Sequence, residues 1–206
     1  MVRVFIVVLI LIPSLAFGQD SIYYEDGKLK AYGKLDETGK TGLWTYFYPG
    51  GTLNAELYFD NDLLHGTQKY YDIDESVLGI EYWENGIIQD TAKYYHPNGE
   101  LEKLGIFNDG LYEGKWLFYF ETGNMKREGY YTEGTPDSLW HFYHENGALY
   151  QKGSFQQGNE HGVWHYFDAE ENKTYEGAYK NGQRVGQWYF FNKSGKKKKW
   201  KNFDEK

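Results

Sequence analysis

The sequence contains no cysteine. Disulfides, a thiol nucleophile, a thiolate metal site and a lipidated cysteine are therefore excluded. Catalytic signatures are missing as well: the chain has no Gly-x-Ser-x-Gly, no His-Glu-x-x-His and no phosphate-cradling glycine loop. The stretches Asp60-Asn61-Asp62 and Asp72-Ile73-Asp74 lack the glycine and the distal glutamate of a calcium loop. Positive charge is in deficit, with 22 Lys and Arg against 30 Asp and Glu and a net charge of −8. That balance argues against nucleic acid as a partner and against adhesion to anionic lipid by bulk charge. No cofactor is expected, and the absences together point away from an enzyme.

The one long apolar run lies at the start. Arg3 gives a positive beginning, Val4 to Ile12 is unbroken apolar sequence, and Pro13 ends it. Ala16-Phe17-Gly18 then supplies the small-x-small pattern of a signal-peptidase site, so residues 1–18 read as a cleavable signal peptide with cleavage before Gln19. The run is short of the roughly 20 residues that span a bilayer. An uncleaved anchor is the rival reading. Cleavage would remove Arg3 and no acidic residue, leaving 21 basic against 30 acidic residues and a net charge of −9. The expectation is an exported protein, periplasmic or extracellular, with no transmembrane segment after cleavage.

An exported chain without disulfides must be held by packing, and the aromatics supply it: 7 Trp, 21 Tyr and 13 Phe. Their placement is periodic. Gly42, Gly66, Gly114, Gly162 and Gly186 lie on a strict 24-residue grid, with Asp90 and Ser138 at the two points lacking glycine. Two residues beyond each point stand Trp44, Gln68, Ala92, Trp116, Trp140, Trp164 and Trp188. An aromatic follows two later in every unit, from Tyr46 to Phe190, and another directly after it: Phe47, Tyr71, Tyr95, Tyr119, Tyr143, Phe167 and Phe191. In the second half of the unit, Gly105, Gly129, Gly153 and Gly177 are each followed two residues on by an aromatic.

Each unit reads as two short strands and two turns. Aromatic-rich runs such as Gly114–Gly123 end in turn chemistry, and the run after the turn is a second strand closed by another glycine. Alternation puts Trp44 and Tyr46 on one face of the strand and Phe47 on the other. A glycine inside a strand weakens it unless something covers the bare backbone, so each in-strand glycine should be roofed by an aromatic ring from a neighbouring strand. The predicted fold is all-β: an elongated, single-layer antiparallel sheet of tandem 24-residue hairpins, advancing roughly 10 Å per unit. Residues 19–206 form the array, about seven units plus a truncated first one. Lysines at 196–199 and 201 make the last strand a cap, with a basic contact site for an anionic partner as the alternative.

The unit G-x-W-x-Y-[FY]-x-x-x-G-x-L-x-x-x-G-x-[FY]-x-x-G resembles the MORN-repeat variant, over about residues 21–203. The units from Gly66 to Glu113 depart from it, lacking the tryptophan and carrying Glu75 at a turn-glycine position. The resemblance implies elongated hairpin sheets, frequent in bacterial proteins, some classed as antitoxin-like. For classical MORN repeats it implies protein scaffolding and phospholipid contact.

No constellation breaks the repeat symmetry. Of the six histidines, His141 and His165 occupy equivalent positions in adjacent units, roughly 10 Å apart and so too far to share a metal. No catalytic or metal-binding residue is assigned. The candidate binding residues are Tyr71, Tyr95, Tyr119 and Tyr143, because tyrosine combines apolar area with a hydroxyl; the alternative is that this row is simply the packed second face of the sheet. The leading functional expectation is a non-catalytic protein-binding or scaffolding module. A carbohydrate or cell-wall binder using an aromatic ladder is the second. An antitoxin or immunity-like protein, implied by the resemblance alone, is the third.

Overall fold

A computed structural model describes residues 19–205, all of them in strands and turns, with no helix among the described residues. The signal-peptide reading of residues 1–18 lies outside them. Seventeen strands form one open antiparallel sheet: β1 (Asp20–Tyr23), β2 (Leu29–Asp36), β3 (Gly39–Phe47), β4 (Leu53–Asp60), β5 (Leu63–Leu64), β6 (Gly66–Tyr71), β7 (Val77–Glu84), β8 (Ile87–Tyr95), β9 (Leu101–Asn108), β10 (Leu111–Tyr119), β11 (Met125–Thr132), β12 (Thr135–Tyr143), β13 (Leu149–Gln156), β14 (Asn159–Phe167), β15 (Lys173–Lys180), β16 (Gln183–Phe191) and β17 (Lys197–Asn202). Each strand pairs with its neighbour in sequence, β5 and β6 together serving as one strand position beside β4. This is the predicted array of tandem hairpins.

The turns explain half of the glycine grid. Asn85-Gly86, Asp109-Gly110 and Asn181-Gly182 carry φ near +50° and then near +78°, the pair of left-handed residues that a tight two-residue hairpin needs. The other half marks a bulge absent from the sequence reading. Between β11 and β12, Glu128 pairs with His141 and Tyr130 with Asp137, so three residues of β12 stand opposite Gly129 alone. The grid residue sits in that bulge with φ between +57° and +74° wherever β10 to β16 or β3 and β8 carry it, and Asp90 and Ser138 take this conformation in glycine's place.

The bulge lets the following tryptophan fold back over the preceding strand. Five indoles lie flat on five glycines: Trp44 on Gly33, Trp116 on Gly105, Trp140 on Gly129, Trp164 on Gly153 and Trp188 on Gly177. A Cβ built on any of these glycines would fall inside the ring. In each case the indole Nε1 donates to the carbonyl ten residues earlier, at 3.1–3.2 Å. The roofing expected from sequence is therefore present, with a hydrogen bond that fixes the ring's orientation. Rings at the 107, 131, 155 and 179 positions stand edge-on to the following tryptophan, 5.1–5.2 Å between centroids, and link the indoles into an aromatic spine. With Gln68, these five tryptophans are the largest enclosed side chains among the described residues. At roughly 200 Å² per indole and about 25 cal/mol per Å², each contributes roughly 5 kcal/mol of gross transfer free energy.

The last strand ends the pattern. Its pairing with β16 skips Trp200, which bulges out and packs its ring on Tyr175, Trp188 and Phe203. Bulge and lysines together blunt the edge against further pairing.

Candidate functional site

The spine occupies one face of the sheet, and the other face has no covering layer among the described residues. Three parallel rows cross this open face. The first consists of residues that neighbour the Trp and Gly positions in sequence and therefore point the opposite way. Leu43, Tyr58, Tyr82, Ile106, Tyr130, Leu139 and Val163, from β3 to β14, are all 38–54% exposed. Within units the row is in register: Leu43 faces Tyr58, and Leu139 and Val163 face the small residues Ser154 and Ala178. Where the row falls from Tyr58 to Thr67, a hollow of about 590 Å³ opens, lined by Glu56, Tyr58, Gly66, Thr67 and Lys69. Thr67, Thr91, Lys115 and Ser154 interrupt the row, so it is a series of exposed apolar side chains spaced by polar ones. A cluster of exposed apolar residues rimmed by polar ones marks an interaction surface more often than scattered exposure does.

The second row is unbroken in register from strand to strand and mostly charged or polar, with Leu104 and Leu117 interrupting it. From β8 onward it runs Lys93, Leu104, Leu117, Glu128, His141, Lys152, His165, Glu176, Tyr189 and Lys199, each residue paired with the next. Its carboxylates are engaged internally. Glu128 accepts from Lys115 at 2.8 Å and Tyr143 at 3.2 Å, with His141 at 3.7 Å. Glu176 binds Lys197 at 2.6 Å, Lys173 at 2.9 Å and His165 at 3.2 Å. The Lys197 ammonium, and then Lys173, hold the Glu176 carboxyl down at about 2 despite its partial burial. Lys115 likewise lowers Glu128. Burial, and then the neighbouring Lys173, lower His165, whose Nδ1 lies 3.2 Å from the Lys173 ammonium.

The third row is the one selected from sequence. Tyr71, Tyr95, Tyr119 and Tyr143 do share the open face, but all four are half-buried. The Tyr71 hydroxyl donates to Glu56 at 2.7 Å and is pushed up to about 12, chiefly by burial. Tyr143 is committed to Glu128 in the same way, and its phenol is raised by burial. Tyr119 offers its carbonyl to His96. The tyrosines border the charged row, and the strongly exposed apolar line lies beyond it. In sequence its members precede the tryptophan at Leu43, Leu139 and Val163 and follow the in-strand glycine at Ile106 and Tyr130, whereas Lys115, Gln187, Lys34 and Ser154 occupy the same places in other units. Its exposure became legible only with the register. His141 and His165 prove to be separated by the strand that carries Lys152. The Asp60–Asp62 and Asp72–Asp74 carboxylates lie at turns, Asp74 held by Ser76 and lowered by that bond. No group of three or more His, Cys, Asp or Glu side chains positioned to hold a metal occurs among the described residues.

Comparison with known proteins follows the same geometry. The sequence pattern described as the MORN repeat variant matches residues 40–61, 91–109, 112–133 and 137–157. Each match covers a Trp-type strand, or its Ala92 counterpart, with the strand after it, which carries Gly105, Gly129 or Gly153 in three cases and Leu57 in the first. No curated protein matches the chain. Among solved structures, a TcdB2–TccC3–Cdc42 complex matches at 10% identity over 88% of this chain and 14% of that one, with a TM-score of 0.20. TcdB2–TccC3 matches at 10% identity over 84% of this chain and 14% of that one, TM-score 0.19. The form without its hypervariable C-terminal region matches at 11% over 84% and 13%, TM-score 0.19. This chain thus spans about one seventh of those proteins, and the poor superposition leaves the fold to its own geometry. MORN repeats are generally protein- or lipid-binding modules and form a non-enzymatic family. Four segments on the 24-residue grid are thus MORN-variant repeats, and the same hairpin, bulge and ring geometry recurs beyond them at Trp164 and Trp188.

Proposed function

We propose that this protein is an exported, non-catalytic binding module whose open sheet face docks a protein partner. The observation that carries the reading is the exposed apolar line from Leu43 to Val163, running across the strands with no covering layer. The division of labour between the faces supports it. The spine face is closed by its own rings, so the open face can vary without loss of the core. The tyrosine row of Tyr71, Tyr95, Tyr119 and Tyr143 forms the border of this surface. Export rests on the character of residues 1–18.

The test compares capture of protein partners from envelope extracts by wild type, by Tyr130→Thr/Leu139→Thr/Val163→Thr, and by Tyr95→Ala/Tyr119→Ala. A partner held by wild type and released by the first variant is the expected result. Equal capture by wild type and both variants would remove the open face as the working surface.

A further inference from the structure

Resting on that reading of the open face, we infer that the partner segment is acidic, with its carboxylates received by Lys152 and the flanking lysines of the charged row. The row is left with uncompensated charge of one sign. Glu56, Glu128 and Glu176 are all engaged by neighbours on the same face. The ammonium groups of Lys93, Lys152 and Lys199 have no ion pair or hydrogen bond among the described residues. The chain as a whole carries a net charge of −8, yet this row presents unpaired cations and no unpaired carboxylate.

Lys152 has the most structured surroundings. His141 and His165 pair with it from either side, so three nitrogen-bearing side chains stand abreast on β12, β13 and β14. Each histidine leans toward its own glutamate, and neither glutamate reaches Lys152. Two residues along each strand, roughly 7 Å away on the same face, lie Leu139, Ser154 and Val163. The exposed ring of Tyr150 stands on the other side. A cation framed by exposed apolar side chains fits a polypeptide whose carboxylates alternate with, or lie beside, apolar residues. Lys93 and Lys199 stand five and four strands from Lys152, roughly 24 Å and 19 Å away at about 4.8 Å per strand. A segment crossing the strands could meet all three. An acidic protein segment suits the surface better than a lipid headgroup layer, because the exposed apolar row runs alongside the cations in one line instead of forming a plane.

The experiment uses two synthetic peptides of equal length and identical leucines, one with glutamate and one with lysine at the alternate positions. A third probe is vesicles of phosphatidylglycerol. Each is titrated against wild type, Lys152→Glu and Lys152→Gln, with tryptophan fluorescence confirming the fold of the variants. The expected result is binding of the glutamate peptide alone, weakened roughly tenfold or more by Lys152→Glu and less by Lys152→Gln, and further weakened by salt. Equal binding of both peptides, or binding unaffected by Lys152→Glu, overturns the acidic-partner inference while leaving an apolar protein-binding face intact. Absence of peptide binding also overturns it. Vesicle binding that depends on Lys152, without peptide binding, would reassign the row to a lipid surface. Loss of peptide binding in the Tyr130→Thr/Leu139→Thr/Val163→Thr variant tests the underlying face separately.

Discussion

In five repeats an indole lies on bare glycine backbone, whereas in the two repeats spanning Leu57 to Ala92 neither partner is present. Leu57 stands where the glycine would be and Gln68 where its tryptophan would be; Glu81 and Ala92 make the second such pair. Gly and Trp are lost together because the ring needs the space that a Cβ would take. The replacements conserve the local chemistry in other ways. Gln68 is fully enclosed, and its amide both accepts from the Tyr58 N–H at 2.7 Å and donates to the Tyr58 carbonyl at 3.1 Å. That carbonyl is the one an indole would have bonded. In the next unit the Glu81 carboxylate accepts hydrogen bonds from the Tyr94 hydroxyl at 2.6 Å and from the Trp83 indole N–H at 2.8 Å. Burial, together with Glu81, raises the Tyr94 phenol far above its usual range. A dry interlock of rings thus gives way to a hydrogen-bonded seam, which depends on each polar group keeping its partner.

The sharpest break of this comparison is to delete a ring. Trp116→Ala should lower stability by about 3–5 kcal/mol in denaturant unfolding, since the wall around Gly105 cannot collapse into the space. Substituting Gly129→Leu drives a side chain into the Trp140 indole and should lose about 3 kcal/mol. Adding Trp140→Gln reproduces the Leu57 and Gln68 pair and should recover much of the loss; a double variant no better than the single one would show that the two positions are not coupled. In the seam, Glu81→Ala leaves the Tyr94 hydroxyl and the Trp83 N–H without their acceptor and should cost roughly 1–3 kcal/mol. Amide exchange should then quicken between residues 55 and 95 before it does in the tryptophan units.

Most of the fold could be read from sequence because the grid is redundant. Every unit repeats the turn glycines and the aromatic pair, so one degenerate unit does not obscure the rest. The bulge was not legible, because Gly42 and Gly51 look alike in sequence although one opens a bulge and the other closes a turn. The surface proposed for a partner was legible only in part. Tyr95 and Tyr119 were singled out by residue type, while exposure depends on strand register, and register placed Leu139 and Val163 outward instead. The pairing of Glu128 with Lys115 and of Glu176 with Lys197, each on another strand, had no signal in local sequence.

Two smaller effects extend the comparison to charge and backbone. The Glu176 carboxyl, held near 2 by Lys197 and Lys173, stabilises the fold above its unfolded pKa of about 4.5. That contribution fades as pH falls from about 4.5 toward 2, and Glu176→Gln should flatten this part of an acid titration by roughly 1 kcal/mol after allowance for solvent screening. Ser138 occupies the bulge position with φ of +60° where four other units have glycine. Ser138→Gly should therefore stabilise by about 0.5–1 kcal/mol, and Asp90→Gly by less, because aspartate tolerates this conformation better.

The central claim is that the spine face makes the fold and the open face is free for a partner. It is tested most directly by the denaturant midpoint of Tyr130→Thr/Leu139→Thr/Val163→Thr, in which three exposed apolar residues become a residue that strands accept readily. The account predicts a midpoint shift corresponding to no more than about 0.5 kcal/mol of stability, as for surface positions without structural duties. A loss comparable to that of Trp116→Ala would contradict it, because the apolar line would then be part of the core.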